Sequence, residues 1–244
     1  MTAVVVGASA GLGRALAVEL ARQRRPLLLV ASDRRDLEAL ASDLSLRFGV
    51  AVKVLALDAA DTATLAAGLR AAAAELPPVE ALLLPIGVVD DGDTPLLGAA
   101  GAERLLAVNL SAPLAAVREL LPAMLERRRG MVVGFGSVAA ARGRSRNAVY
   151  AAAKRALASW FESLRHLAEP AGVSVAFYVL GYLDTRLAFG RRLLLPKGAP
   201  AAVARRVVRR LGRDHGTHYL PRFWYPLVLA LGALPHAVYR RLDF

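Results

Sequence analysis

The sequence predicts a doubly wound α/β domain built on a parallel sheet, and three observations carry that prediction. Short apolar runs alternate with longer stretches of helical periodicity along most of the chain. A glycine turn, Gly7-Ala8-Ser9-Ala10-Gly11-Leu12-Gly13, joins the first apolar run to the first helical stretch. Tyr150 and Lys154 stand four residues apart in an Ala-rich stretch, downstream of a Ser137 that closes another apolar run.

Residues 3–6 read as a buried first strand ending in Gly7. Glycines at 7, 11 and 13 permit a tight turn and a close backbone approach, and the helix at 12–23 offers its N-terminus to a pyrophosphate. The alternative is a glycine turn with no ligand. Residues 27–31 form the second strand, 36–48 a helix stopped by Gly49, and 50–57 the third strand. Asp58 then either caps the next helix, 62–76, or faces a ligand. Pro77-Pro78 stop that helix, and 80–85 is the fourth strand, leading to Gly87. The acidic Asp90, Asp91 and Asp93 read as a solvated turn, because their spacing does not complete a calcium loop. A long helix at 102–129, interrupted around Pro113, carries Asn109, and Pro122 predicts a second bend. Residues 131–136 are the fifth strand and deliver Ser137 at the carboxyl edge, where open α/β sheets place ligands. The helix 147–169, the sixth strand 173–179 and an amphipathic helix 201–211 with Val203, Val207 and Leu211 on one side follow. The domain is expected to occupy 1–220, with 221–244 as an extension.

Four-residue spacing puts Tyr150 and Lys154 on one helix face. A free phenol has a pKa of about 10, too high for easy proton exchange at neutral pH. A neighbouring ammonium favours the phenolate and makes the tyrosine a usable acid/base. The alternative is a chance helical pair. Composition argues against it: of 32 Lys+Arg only Lys53, Lys154 and Lys197 are lysine, so a compact point charge was kept at 154 in a chain that otherwise writes arginine.

The glycine turn, Asn109, Ser137, Tyr150 and Lys154 together resemble the short-chain dehydrogenase/reductases, over nearly the whole chain. That resemblance implies a seven-stranded Rossmann domain and hydride transfer between NAD(P)H and a carbonyl. Tyr150 would donate the proton, Ser137 hold the alkoxide, and Lys154 lower the tyrosine pKa and bind the nicotinamide ribose. Asn109, at a helix distortion, would close a water-mediated proton relay. The implied cofactor set is Gly7, Ser9, Gly11, Leu12, Gly13, Ser32, Arg34, Asp58, Gly87, Tyr150, Lys154 and Thr185, with Asp58 at the adenine and Thr185 at the nicotinamide amide. Ala31 stands where NAD-dependent relatives carry Asp, and Ser32 where many NADP-dependent ones carry Arg. With Arg34 and Arg35 behind it and Asp33 opposing, NADP is favoured over NAD. Leu84-Pro85-Ile86-Gly87 replaces the family's Asn-Asn-Ala-Gly, and Leu180 replaces a proline before Gly181.

The net charge of +12 points to an anionic partner, a membrane surface or a phosphorylated substrate, with no nucleic-acid module to accompany it. No cysteine is present and His166, His215, His218 and His236 lack metal-ligand spacing, so no metal is expected. Met1-Thr2 leads directly into the first strand, which predicts a cytoplasmic protein without a signal peptide. Arg142, Arg144 and Arg146 are either solvated charges or a substrate-phosphate site, and the segment 186–198, with Arg191, Arg192 and Lys197 beside three leucines, is either a lipid-phosphate lid or a leucine-packed loop. Residues 219–244 join Phe223, Trp224 and Tyr225 to an apolar run and to Arg240 and Arg241. The run is shorter than the ~20 residues that span a bilayer, so it fits an interfacial segment on the inner face of the plasma membrane, or an arm in a dimer or tetramer. The tail, the altered fourth-strand loop and the Arg-rich spacer are similar to those of decaprenylphosphoryl 2-keto-ribose reductases. That second resemblance implies a keto-sugar carried on polyprenyl phosphate, in synthesis of an arabinose donor for the cell envelope. The alternatives are a soluble acyl or small-ketone reductase and a non-catalytic dinucleotide-binding subunit.

Overall fold

The computed structural model describes residues 2–185 and 197–241, and the segment 186–196 of the expected lid lies outside them. Seven strands form one parallel sheet in the order β3-β2-β1-β4-β5-β6-β7. They are β1 (Thr2–Val6), β2 (Leu27–Ala31), β3 (Val52–Ala56), β4 (Val79–Leu84), β5 (Gly130–Ser137), β6 (Val173–Leu180) and β7 (Gly216–Leu220). The order reverses between β1 and β4, which opens the ligand crevice at the carboxyl ends of those strands.

Strands β1 and β4 are buried at every position, as expected of a sheet covered on both faces. Helices α1 (Gly11–Arg22), α2 (Arg34–Phe48) and α7 (Pro200–Arg209) cover one face, where Leu16, Leu20, Leu37 and Val207 meet Val5 and Leu29. Helices α3 (Thr62–Ala74), α4 (Ala99–Leu106), α5 (Ala112–Glu126) and α6 (Ala148–Ala168) lie on the other side of the sheet, and α3, α5 and α6 bury Leu69, Val117, Leu157 and Phe161 against Val4 and Leu82. Each such Val or Leu contributes about 1.5–3 kcal/mol over remaining exposed.

The predicted long helix runs from Ala99 to Glu126 with a single π turn at Ala107–Ser111, directly before Pro113 in the first turn of α5. A proline early in a helix lacks only an N–H that would otherwise be unpaired, so α5 restarts there at little cost. Pro122 is contained within α5. The continuous helix is long and apolar enough to cross a membrane, yet half of it is buried in the protein core.

The seventh strand was not legible as a residue pattern: Gly-Thr-His-Tyr-Leu has no apolar run, and pairing with β6 from Ala176↔Gly216 to Leu180↔Leu220 makes it a strand. Beyond it, α8 (Trp224–Ala233) and the single-turn α9 (His236–Tyr239) fold back onto the domain. Trp224 and Tyr239 are buried, whereas Phe223, Tyr225, Leu229 and Val238 are exposed.

Candidate active site

The first turn of α1 begins without a side-chain cap at Ala10, so its leading N–H groups face the crevice beside Gly11, Leu12 and Gly13. Glycine is required here by close approach: a Cβ on Gly13 would collide with the Gly7 carbonyl oxygen, and one on Gly7, at φ +96°, would lie 2.8 Å from Ile86 Cα. This is a cradle fitted to a pyrophosphate. Thr185 closes it from the far side, with its Cγ2 3.1 Å from where a Gly11 Cβ would stand. Arg14, not singled out from the sequence, braces the turn by donating to the Ser9 carbonyl at 3.0 Å and lies 3.7 Å from Asp36.

The cleft, about 790 Å³, is lined by Gly7, Ser9, Gly11, Leu12, Gly13, Ser32, Asp58, Gly87, Ser137, Tyr150, Lys154 and Thr185 among others. Arg34 is not among them, because its guanidinium points along α2 to Glu38 at 3.4 Å. Asp33 does not confront a ribose: its carboxylate caps α2 by accepting the Asp36 N–H at 2.9 Å. Asp58 pairs with Arg104 at 2.9 Å and accepts the Ala60 N–H at 3.0 Å. That N–H, with the Arg104 guanidinium, holds the carboxyl below the usual range. The cap of α3 is Asp61, not Asp58.

Helix α6 buries Ala151, Lys154, Leu157, Phe161, Leu164 and Ala168, a stripe of three- and four-residue steps in which lysine occupies a core position. Lys154 is 4% exposed. Its ammonium donates to the carbonyls of Ile86 at 3.1 Å and Phe135 at 3.4 Å, and burial pushes its pKa down to about 8. The Nζ lies 5.9 Å from the Tyr150 ring centroid. Ser137, opposite Leu180 in the β5–β6 register, accepts the Ala139 N–H at 3.1 Å, which leaves its own hydroxyl hydrogen to donate into the cleft.

Asn109 is fully buried on the π turn, behind the cleft. Its amide donates to the carbonyls of Val88 at 2.9 Å and Leu105 at 3.0 Å and accepts the Val88 N–H at 3.2 Å. A Cβ on Gly87 would stand 3.0 Å from Asn109 Oδ1 and 3.4 Å from Lys154 Nζ, so the one glycine kept from the family's loop is where both side chains converge. The π turn thus fastens the loop after β4 to the lysine.

Two further features escaped sequence reasoning. The reading of the acidic turn as solvated is corrected at one residue: Asp93 is 2% exposed, with its carboxylate on the N-terminus of α6. The tail is fastened to both active-site loops. Arg142 donates to the carbonyls of Leu231 at 3.0 Å and Leu234 at 2.6 Å and stacks 4.1 Å from the Tyr239 ring centroid. Trp224 fills the place of a side chain at Gly181 and meets Tyr182 edge-on at 5.4 Å. Arg144 and Arg146 line the same cleft as Tyr150, while of the expected basic lid only Lys197 and Gly198 are described, Lys197 standing 4.0 Å from Asp184.

A glycine cradle at the sheet crossover, with serine, tyrosine and lysine gathered at the carboxyl edge, defines a nicotinamide-dependent oxidoreductase. Comparison with known proteins agrees. The family profile described as short chain dehydrogenase matches residues 1–192. An uncharacterized oxidoreductase of Myxococcus xanthus is 33% identical over 80% of this chain and 77% of its own length. Ketoacyl reductase HetN of Nostoc is 28% identical over 86% and 75%, and a very-long-chain 3-oxoacyl-CoA reductase of Aspergillus clavatus is 29% identical over 88% and 63%. Among solved structures, a short-chain dehydrogenase from Sphingobium yanoikuyae in complex with NADPH superposes with a TM-score of 0.83 at 26% identity, covering 97% of both chains. The chain belongs to the short-chain dehydrogenase family and is an NAD(P)-dependent oxidoreductase.

Proposed function

We propose that this protein reduces the carbonyl of a lipid-linked, anion-bearing substrate with NADPH, at a membrane surface. The observation that carries this reading is that Arg144 and Arg146 line the cleft with Ser137 and Tyr150, while Arg142 of the same spacer holds an exposed apolar tail beside it. Bound nicotinamide supplies the hydride. The hydroxyls of Ser137 and Tyr150 hold the carbonyl oxygen, and Tyr150 delivers its proton as that oxygen gains charge. Lys154 stabilises the phenolate left behind and would hold the nicotinamide ribose of the bound cofactor. Asn109 pins the π turn behind Lys154, through which water returns the proton. Donors fixed in a low-dielectric site need no reorganisation as charge develops.

In a keto-sugar on polyprenyl phosphate the phosphate is next to the reacting carbon, which suits arginines that line the same cleft as the catalytic hydroxyls. A long-chain 3-oxoacyl thioester, whose phosphates lie a pantetheine arm away, is the second reading, favoured by the names of the Nostoc and Aspergillus relatives. NADPH oxidation against a polyprenyl-phosphoryl keto-pentose, a long-chain 3-oxoacyl-CoA and a simple ketone separates them. Arg144→Ala with Arg146→Ala should raise KM more than about tenfold for the keto-sugar alone, the effect of losing charge-assisted hydrogen bonds. Equal kcat/KM on the simple ketone, unchanged in the double variant, overturns the lipid-anion reading.

NADPH is favoured because position 31 is Ala, Asp33 is engaged as a helix cap, and α2 begins just beyond Ser32 with Arg35 and with Arg34, whose exposed pairing with Glu38 would have to open for it to reach a 2′-phosphate. NADPH should bind more tightly than NADH, and Arg34→Ala with Arg35→Ala should narrow the difference about tenfold, the scale of one charge-assisted contact. NADH binding as tightly as NADPH in titration refutes the preference.

The tail supports a cytoplasmic protein resting peripherally on the inner membrane face. Helix α8 has ten residues, too short to span, and its exposed Tyr225 and Leu229 lie with Phe223 and Val238 near Arg222, Arg240 and Arg241. Phe223→Ser, Leu229→Ser and Val238→Ser together should abolish flotation with phosphatidylglycerol vesicles while leaving NADPH binding intact. These surface changes spare Trp224 and the carbonyls held by Arg142, which a truncation would remove. Wild-type protein that fails to float leaves the tail as an arm between subunits.

A further inference from the structure

We infer that Asp93 is a positioning residue for the Tyr150 proton donor, capping the catalytic helix from a different element of the fold. Tyr150 sits in the first turn of α6, so its backbone N–H has no partner within the helix. The residue that should satisfy that turn does not: Asn147, at the N-cap, lies at φ +55° and ψ +39° and makes no side-chain cap. Asp93 takes over from the loop after β4. Its Oδ1 accepts the Val149 N–H at 2.8 Å, its Oδ2 the Tyr150 N–H at 2.9 Å, and its backbone carbonyl the Asn147 N–H at 2.8 Å.

Three bonds from one residue therefore fix where α6 begins. The turn presenting Asp93 is itself closed by Asp90, whose carboxylate accepts the Gly92 N–H at 2.7 Å and whose carbonyl accepts the Asp93 N–H at 3.2 Å. The same loop starts at Ile86 and Val88, which hold Lys154 and Asn109. One loop thus sets the position of the lysine from one end and of the tyrosine from the other. A buried carboxylate suits the task because it accepts two N–H bonds at once and complements the positive end of the helix dipole.

This inference rests on Tyr150 as the proton donor, and its test separates the two. Asp93→Ala and Asp93→Asn are compared with Asp61→Ala, which removes a side-chain cap from the remote helix α3. Hydrogen exchange at residues 148–152 needs no substrate. It should accelerate more than tenfold in Asp93→Ala and less in Asp93→Asn, where one acceptor oxygen remains. With NADPH and ethyl acetoacetate, or whichever ketone of the panel above turns over fastest, kcat should fall about 10²-fold in Asp93→Ala, the scale of a 1 Å misplacement. Asp93→Asn should recover part of the loss, with KM and NADPH affinity near wild type in both. Asp61→Ala should lower the Tm without changing kcat. Unchanged exchange at 148–152, kcat within twofold of wild type in Asp93→Ala, or an equal kcat loss in Asp61→Ala overturns the proposal. Accelerated exchange with normal kcat in a Tyr150→Phe-sensitive enzyme also overturns it, because the cap would then exist without positioning the donor.

Discussion

Tyr150→Phe is expected to lower kcat about 10²–10⁴-fold, the usual contribution of a positioned general acid, and to leave NADPH affinity near wild type. The ring keeps its place in the first turn of α6, and its backbone N–H still meets Asp93, so only the phenolic proton is lost. Stopped-flow or steady-state NADPH oxidation, with cofactor affinity from fluorescence, checks both halves. Turnover like that of wild type would show that another group protonates the product oxygen, and the roles given to Ser137 and Lys154 would have to be reassigned with it.

Lys154→Arg is expected to be nearly as damaging although charge is conserved. The ammonium occupies a buried stripe position between the carbonyls of Ile86 and Phe135, with Gly87 against it. A planar guanidinium is larger and cannot sit there as a point charge. Burial takes the lysine pKa from 10.5 to about 8, so below pH 8 it is charged and above it increasingly neutral. In wild type kcat/KM for NADPH should therefore fall as pH rises through about 8, and the limb should be absent in Lys154→Arg, whose charge persists. Stability moves the other way: between about 8 and 10.5 the unfolded chain binds a proton the folded one does not, so the cost of burying the charged Lys154 is relieved as pH rises. A descending limb near pH 8 that survives in the variant would assign it to a different group.

Legibility followed the range of the interaction. The glycine turn, the six apolar strands and the Tyr150–Lys154 face were all readable, because turn chemistry and periods of 2 and 3.6 are written over a few adjacent residues. The same local chemistry placed an interruption around Pro113, where the π turn at Ala107–Ser111 lies. It also carried a signal not used: Asp33 and Asp36 have the spacing of a cap and its first turn, which accounts for an acid that had seemed to argue for NAD.

By itself, then, the sequence determined the fold class, the cleft and the residue types at its chemical centre. Tertiary structure decided what holds them in register. Asp93 and Tyr150 are 57 residues apart, Asp58 and Arg104 46, and Arg142 and Leu234 92. In sequence Asp93, Arg104 and Arg142 read as ordinary surface polar residues, and nothing local names their partners. β7 is a strand only because β6 lies beside it, and the tail is fastened to the loops around the cleft only because Arg142 and Trp224 join them. The reason is physical: a helix end or a buried carboxylate must be satisfied by whatever donor or acceptor the fold brings near, and no local pattern says which residue that is.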